Sequence, residues 1–454
     1  MYRKNAWEKY KDNLNEVMDF AEGYKQFISF GKTERLVTKE SIELLEKAGF
    51  QNIEKVVSLI PGDKVYVINK NKNVCAFIIG KKELDDGLRI LGAHIDSPRL
   101  DLKESPFYER NGFALGDTHY YGGVKKYQYV TIPLALHGVV CKKDGSVVEI
   151  HIGEKESDPV VGITDLLIHL SADQMAKPMA KAIEGENLDI SLGSIPLEDK
   201  DVKANILKIL EEQYGVSEED FISAEIEVVP AGPARDYGLD RSMVAGYGHD
   251  DRVCAYTSLK AILDIPEPEY TSCCILVDKE EIGSVGATGA QSLFFENAIA
   301  QLAKLLGSKN PLYTARLALQ ASKMLSSDVS AGFDPLYASV NDPKNAAYLG
   351  EGLVFNKYTG ARGKSGSNDA NPEYYAFIRR VMDEADVNWQ SSELGRVDQG
   401  GGGTIAYILG NYNMNVIDAG VPVLNMHAPM EIVSKVDVYE AYRGYKAFLL
   451  AKDN

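Results

Sequence analysis

Two adjacent carboxylates, Glu280 and Glu281, stand where the apolar run Cys273-Cys274-Ile275-Leu276-Val277 should end. Neighbouring residues point in different directions. One carboxylate of such a pair can bind a metal while the other serves as a general base beside it. An acidic turn after a strand is the other reading of the stretch from Val277 to Ser284. A second apolar run, Leu88 to Ala93, leads into His94-Ile95-Asp96, where alternation puts His94 and Asp96 on one side of an extended segment. A metal-binding imidazole needs a partner of that kind to fix its tautomer.

Three further segments end in the same way. Ser242-Met243-Val244-Ala245-Gly246 leads to Asp250, Lys323 to Ser327 leads to Asp328, and Val421 to Met426 leads to His427. In open α/β sheets the loops beyond the carboxyl ends of the strands converge on one crevice, so ligands carried there meet at one rim. Two histidines and three carboxylates suit a pair of divalent ions that share one carboxylate. Such a pair activates a water for attack on a carbonyl.

The elements that must carry these residues are legible in the pattern. Residues Trp7 to Ala48 read as helical, broken at Gly31-Lys32-Thr33, and Val65 to Ile79 reads as a hairpin turning at Asn69 to Lys72. Strand-type runs follow at Tyr120 to Gly123, Gln128 to Leu136 and Val147 to Ile152. A charged helix over Val202 to Tyr214 and a strand over Ala224 to Val229 complete a β-rich insertion. Helix and strand then alternate again. Helices are expected over Val253 to Leu263, Gly289 to Leu306 and Val436 to Leu449, with glycine-rich stretches over Lys357 to Asn368 and Gly400 to Gly403. The second of these could cradle an anion at a helix N-terminus or let the backbone approach a substrate closely. Asp251 and Arg252 read as cap and anchor of the helix they open. His119, His137 and His151 read as surface or core residues of the insertion, and His249 is assigned no role.

The chain has 454 residues, which suits two domains. Its 45% hydrophobic and 25% charged content is that of a globular protein. A formal net charge of -17 argues against nucleic acid or an anionic membrane as the main partner. No apolar run reaches the ~18 residues that cross a bilayer. The first ten residues lack the apolar core of a secretory signal, so a cytoplasmic location is expected. The five cysteines form no metal-type pair and their number is odd, and Cys273 and Cys274, inside an apolar run, read as reduced core thiols.

In combination, Gly92-Ala93-His94-Ile95-Asp96-Ser97-Pro98-Arg99-Leu100, Glu280-Glu281-Ile282-Gly283-Ser284 and Met426-His427 resemble the aspartyl aminopeptidases, a family of co-catalytic dinuclear zinc aminopeptidases. The resemblance covers essentially the whole chain. It implies a mixed-sheet, three-layer α/β catalytic domain of zinc-peptidase type over residues 1–103 and 240–454, with residues 104–239 as an inserted β-rich dimerisation domain. It implies two divalent ions per subunit, zinc first, with manganese and cobalt also suited to N/O ligands. Asp250 would bridge them, His94 and Asp328 would complete one site, and Glu281 and His427 the other. Glu280 would be the base and Asp96 would orient His94. His169, in Leu166-Leu167-Ile168-His169-Leu170, would reach a neighbouring subunit's active site and stabilise the tetrahedral oxyanion. From the residues alone His169 reads as structural. Dodecamers built from dimers and peptide substrates are implied as well.

One departure bears on the substrate. Acid-specific members of the family present a lysine on the strand after the fourth ligand, where this chain has Asn356 followed by Lys357, with Arg362 and Lys364 nearby. Those three cations are the candidates for holding a substrate side chain. An acidic N-terminal residue is favoured by the family, and a neutral or basic one is the alternative. An N-acyl amino acid deacylase on the same scaffold and a non-catalytic cargo protein are the rival functions, and the second has no need of Glu280.

Overall fold

A computed structural model describes residues 5–198 and 200–453. The chain forms two compact units. The first joins the chain up to Asp96 with Ala234–Met426 and the stretch from Glu431 onward; the second is Ser97–Pro233 together with His427–Met430. The sequence-based boundaries lay at 103/104 and 239/240.

The first unit is built on a nine-stranded mixed sheet. Across it run Gln51–Asn52, Lys64–Asn69, Asn73–Ile78, Thr271–Val277, Leu88–His94, Lys323–Ser326, Asn415–Gly420, Leu353–Asn356 and Trp389–Ser391. Its central strands Thr271–Val277 and Leu88–His94 are buried at every position because both faces are covered. Leu91, Ala93, Cys274, Leu276 and Leu325 point into one cluster with Tyr24, Phe27, Leu259 and Phe448. Their alternates Ile90, Cys273, Ile275, Val277 and Met324 point into another with Phe295, Ile299, Leu302 and Leu319. The period-2 alternation of a strand thus divides one apolar run between two cores, and each large side chain so buried contributes roughly 1.5–3 kcal/mol. The helices Leu14–Phe30, Glu34–Lys47, His249–Leu263 and Lys435–Leu449 cover the first face, and Phe294–Leu305 and Pro311–Ala321 the second. The three-layer expectation is met. Gly31 and Thr33 divide the first two helices, and the Thr33 hydroxyl accepts the Leu36 N–H at 3.2 Å as an N-cap. A five-stranded sheet, Arg235–Tyr237, Met243–Gly246, Glu431–Ser434, Pro422–Leu424 and Ser330–Ala331, completes the unit. All five cysteines are free, as their count suggested.

Asp418 is buried on the strand Asn415–Gly420. Burial pushes its carboxyl up from 3.8 to about 6, against the Thr404 and Ser326 hydroxyls that pull it down. A carboxyl raised on folding stabilises fully below its unfolded value and loses that contribution as pH rises through its folded value. The loss here runs from about pH 4 to about pH 6 and amounts to about 3 kcal/mol. Asp418→Asn is expected to raise the melting temperature at pH 8 and to leave it nearly unchanged at pH 4. Equal shifts at both values would discount the buried charge.

The second unit is a six-stranded antiparallel sheet, ordered Val147–Ile152, Leu134–Cys141, Ala224–Pro230, Arg99–Arg110, Phe113–Tyr121 and Ile190–Gly193. Its core gathers Leu100, Phe107, Leu134, Val140, Ile190, Phe221 and Val228. The helix Val202–Tyr214 is capped by Asp201, which accepts from Ala204, and ends on Gly215 in the left-handed region at φ 67°. One expected strand starts later than its composition suggests. Lys126–Gln128 is a 3-10 turn and Thr131 takes φ 62°, so the run Gln128 to Leu136 becomes strand only at Leu134. A left-handed residue followed by Pro133 ends any ladder there. Leu166, Leu167, Ile168, Leu170, Met175 and Met179 are exposed in one segment of this unit, around His169.

Candidate metal centre

Register sets the geometry. Thr271–Val277 and Lys323–Ser326 lie parallel on either side of Leu88–His94, with Val277 beside His94 and Ser326 beside Gly92. Three carboxyl ends therefore open on one edge, and the residues just past them are His94 itself, Glu280-Glu281 and Asp328. Asp250 arrives from the first turn of the helix His249–Leu263, where Asp250 and Asp251 depart from helical φ and ψ.

The His94 ring is held at one nitrogen and presents the other. Nδ1 lies 3.0 Å from the Asp96 carbonyl oxygen and 3.3 Å from Asp96 Oδ1, so it carries the hydrogen. Nε2 lies 3.1 Å from Asp250 Oδ1 and 3.9 Å from both Glu280 Oε2 and Asp328 Oδ1. Burial would lower this imidazole, but hydrogen bonds to Asp250 and Asp96 and the charges of Glu280 and Asp328 carry it well above its ordinary value. Burial raises Asp328, and the neighbouring Asp251, Asp250 and Glu280 raise it further against the pull of His94. Such a pocket holds carboxylates that repel one another in the absence of a cation, which is the electrostatic signature of a metal site. Two sets of ligand atoms lie within 4.8 Å of one another: His94, Asp250 and Glu281 in one, and His94, Asp251 and Asp328 in the other. One imidazole with carboxylates is a donor set that zinc accepts, so the residues fit the group.

The Glu280-Glu281 turn is shaped by its neighbours. Glu280–Ile282 is a single 3-10 turn between Lys279 at φ 69° and Gly283 at φ 99°. A non-glycine residue in that region is sparsely populated and persists only where its surroundings hold it. Here Lys279 Nζ donates to Asp278 Oδ2 at 2.9 Å and to Thr288 Oγ1 at 2.8 Å. Asp96 then fixes the turn from below. Its Oδ1 accepts the Glu280 N–H at 3.1 Å and its Oδ2 the Glu281 N–H at 3.2 Å. One side chain thus sets the His94 ring and both glutamate backbones. Glu431 accepts the Asp250 N–H at 3.0 Å in a similar way.

Neighbouring residues complete the cluster. Asp251 does not cap its helix; the cap position is Gly248, with no side-chain bond. The Asp251 side chain is buried in the cluster, where Oδ2 accepts the His94 N–H at 3.3 Å. Burial pushes its carboxyl well up, with Asp250 adding to the rise and His94 opposing it. Arg252 does anchor the helix, through Nε to the Ile95 carbonyl at 3.1 Å. His249 is buried against Tyr24, and burial lowers its imidazole to about 3, so it stays neutral. Gly420 matters by lacking a side chain: a Cβ there would lie 1.8 Å from the Asp328 carbonyl oxygen.

His427 belongs to the second unit, at φ 66°, and its Nδ1–H donates to the Gly123 carbonyl at 2.9 Å. That bond leaves Nε2 as the basic nitrogen. His169 lies on the exposed 3-10 turn Ile168–Leu170. Of the three candidate cations, Lys357 and Lys364 both pair with Asp369, and Lys364 also lies 3.7 Å from the Tyr358 ring centre. Arg362 sits in the same glycine-rich stretch at φ 51°. Asn356 is buried and fully engaged: Nδ2 donates to Ser392 O at 2.8 Å, and Oδ1 accepts from the Ser330 hydroxyl at 3.0 Å. The helix after Gly400 to Gly403 is only Ala406–Gly410, too short for an anion site. Gly400 and Gly401 serve close packing instead, since a Cβ would lie 1.6 Å from the Leu394 carbonyl oxygen on the first and 2.2 Å from the Gly360 carbonyl oxygen on the second, whereas the space around Gly402 and Gly403 is open.

The chain is similar to known proteins over nearly its whole length. Residues 27–449 match the model of the aminopeptidase I zinc metalloprotease family, M18. The chain is 58% identical over 455 residues to a probable M18 family aminopeptidase 1 of Clostridium acetobutylicum, covering 98% of each chain. It superposes on a crystal structure of aminopeptidase I from that organism with a TM-score of 0.93, 56% identity and 99% coverage of both chains. A crystal structure of an M18-family aminopeptidase from Thermotoga maritima gives a TM-score of 0.96 at 45% identity, with 99% of each chain covered.

Proposed function

Since the chain belongs to the M18 family of zinc metalloproteases and is an aminopeptidase, we propose that it removes single neutral residues from peptide N-termini at a centre holding two ions. The observation that carries the centre is the convergence of His94, Asp250, Glu280, Glu281 and Asp328 from separate segments onto one buried edge. In this reading His94, Asp250, Glu281 and Asp328 would hold the ions, with His427 as the further ligand that the resemblance implies. When bound, the ions supply Lewis-acid polarisation of the scissile carbonyl and lower the pKa of a water.

The chain's own residues do the rest. Glu280 takes the proton of the attacking water and passes it to the leaving amine, a transfer that needs a base within hydrogen-bond reach of both. Asp96 keeps that base in place through the two backbone N–H groups it accepts. The Nδ1 contact with the Asp96 carbonyl oxygen would leave Nε2 of His94 to serve as the donor to a bound ion.

The preference for a neutral residue rests on Asn356. At the position where acid-specific members carry a lysine, its amide is occupied by Ser330 and Ser392, and Lys357 and Lys364 are engaged with Asp369. Leucyl anilide is expected to be hydrolysed at least tenfold faster, in kcat/KM, than aspartyl or glutamyl anilide. The reverse order would return the chain to acid specificity.

We further propose assembly into a homo-oligomer through the second unit, as the family resemblance implies, the finest form being a dodecamer. The exposed apolar segment around His169 supports this, because large exposed apolar patches mark interaction surfaces. His169 is then placed to act on a neighbouring subunit's substrate. His169→Ala is expected to lower kcat about 10²-fold with metal content and light-scattering mass unchanged. Full activity would make it a surface residue only.

A further inference from the structure

The second unit carries two imidazoles, His137 and His151, to which the proposed reaction assigns no role. His137 and His151 are direct cross-strand partners on Leu134–Cys141 and Val147–Ile152, so their side chains leave the same face of the sheet. Their Nδ1 atoms are 3.1 Å apart. Each outer nitrogen meets a carboxylate. His137 Nε2 lies 2.9 Å from Glu154 Oε1, and His151 Nε2 lies 3.3 Å from Glu149 Oε2. Glu154 is itself held, its other oxygen accepting the Gly232 N–H at 3.1 Å.

An ionised carboxylate only accepts, so both Nε2 atoms carry the hydrogen and both Nδ1 atoms of the neutral rings are lone pairs. Two lone pairs facing each other at 3.1 Å repel unless a cation lies between them. Imidazoles on one tetrahedral zinc, with Zn–N bonds of about 2.0–2.1 Å, bring their nitrogens to roughly 3.3 Å apart. An outer N–H given to a carboxylate is also how metal-binding histidines are held. The neighbouring strand adds Glu227 opposite His137 and Glu225 opposite Val139, which keeps this face acidic even though Glu227 pairs with Arg99 at 3.2 Å.

We propose that His137 and His151 bind one late first-row transition-metal cation through their facing Nδ1 atoms, at a site separate from the catalytic ions. Glu154 and Glu149 fix the two tautomers, and solvent completes the coordination. Imidazole donors select zinc, copper(II) or nickel(II) over magnesium and calcium. The competing occupant is a single proton shared by the two rings.

Copper(II) added to the zinc-loaded full-length protein at pH 7.5 tests this, with copper and zinc counted together and the copper signal read by electron paramagnetic resonance. The expected result is one copper per chain, with zinc content constant and a signal from two nitrogen ligands. His151→Gln is expected to lose that copper and keep full peptidase activity; its side chain is 41% exposed, so the change is compatible with folding. Glu149→Gln should weaken copper binding about 10- to 100-fold. Copper uptake matched by zinc loss, no uptake by the wild type, or uptake that persists in both His151→Gln and His137→Gln would each overturn the proposal. The absence of uptake would assign the gap to a proton.

Discussion

Glu280→Gln is expected to lower kcat by about 10²- to 10⁴-fold, the range over which a positioned acid–base group acts, while bound metal and fold are retained. The amide has the shape of the carboxylate but cannot take a proton from water. The substitution also leaves the Glu280 N–H in place, so the bond to Asp96 Oδ1 and the path of the turn survive. Anilide kinetics with metal analysis on the same preparation check it. A variant that loses metal along with activity would make Glu280 a ligand, and one that keeps its activity would move the base elsewhere.

Chelation has an expected effect of similar size and a second readout. Turnover should fall by more than about 10³-fold, since the ions supply several kcal/mol of transition-state stabilisation, and zinc should restore it. The melting temperature should fall as well. Asp250, Asp251, Glu281 and Asp328 converge around one imidazole, and burial strengthens their mutual repulsion once no cation compensates it. Ligand held at about a hundred times its dissociation constant stabilises by about 2.7 kcal/mol, which corresponds to roughly 4 °C for a unit of this size. A chelated protein that melts at the temperature of the loaded one would show that the carboxylates tolerate each other unaided.

Most of this arrangement could be read before any coordinates. His94, Glu280-Glu281 and Asp328 were visible because each follows an apolar run, and the parallel register of three neighbouring strands turns sequence ends into a spatial edge. The first two helices were legible from periodicity and from the break at Gly31-Lys32-Thr33. The errors have definite causes. The helix expected from Gly289 starts only at Phe294, because residues 284–293 are spent on turns, with Gln291 N bonded back to Ser284 O at 3.1 Å. Gln128 to Thr131 had strand composition but a left-handed residue that composition does not reveal. Asp251 looked like a cap because an Asp at a helix start usually is one. Its actual partner, the His94 N–H, lies 157 residues away. The double bond from Asp96 to the glutamate turn is likewise a tertiary contact, across 184 residues to Glu280.

Gly420 shows where mutational intolerance will fall outside any motif. It binds nothing and carries no charge, yet the Asp328 carbonyl passes through the space a methyl group would need. A saturation screen read by activity should therefore mark position 420 as strictly as the acidic cluster itself. A survey guided only by chemically reactive side chains would pass over it.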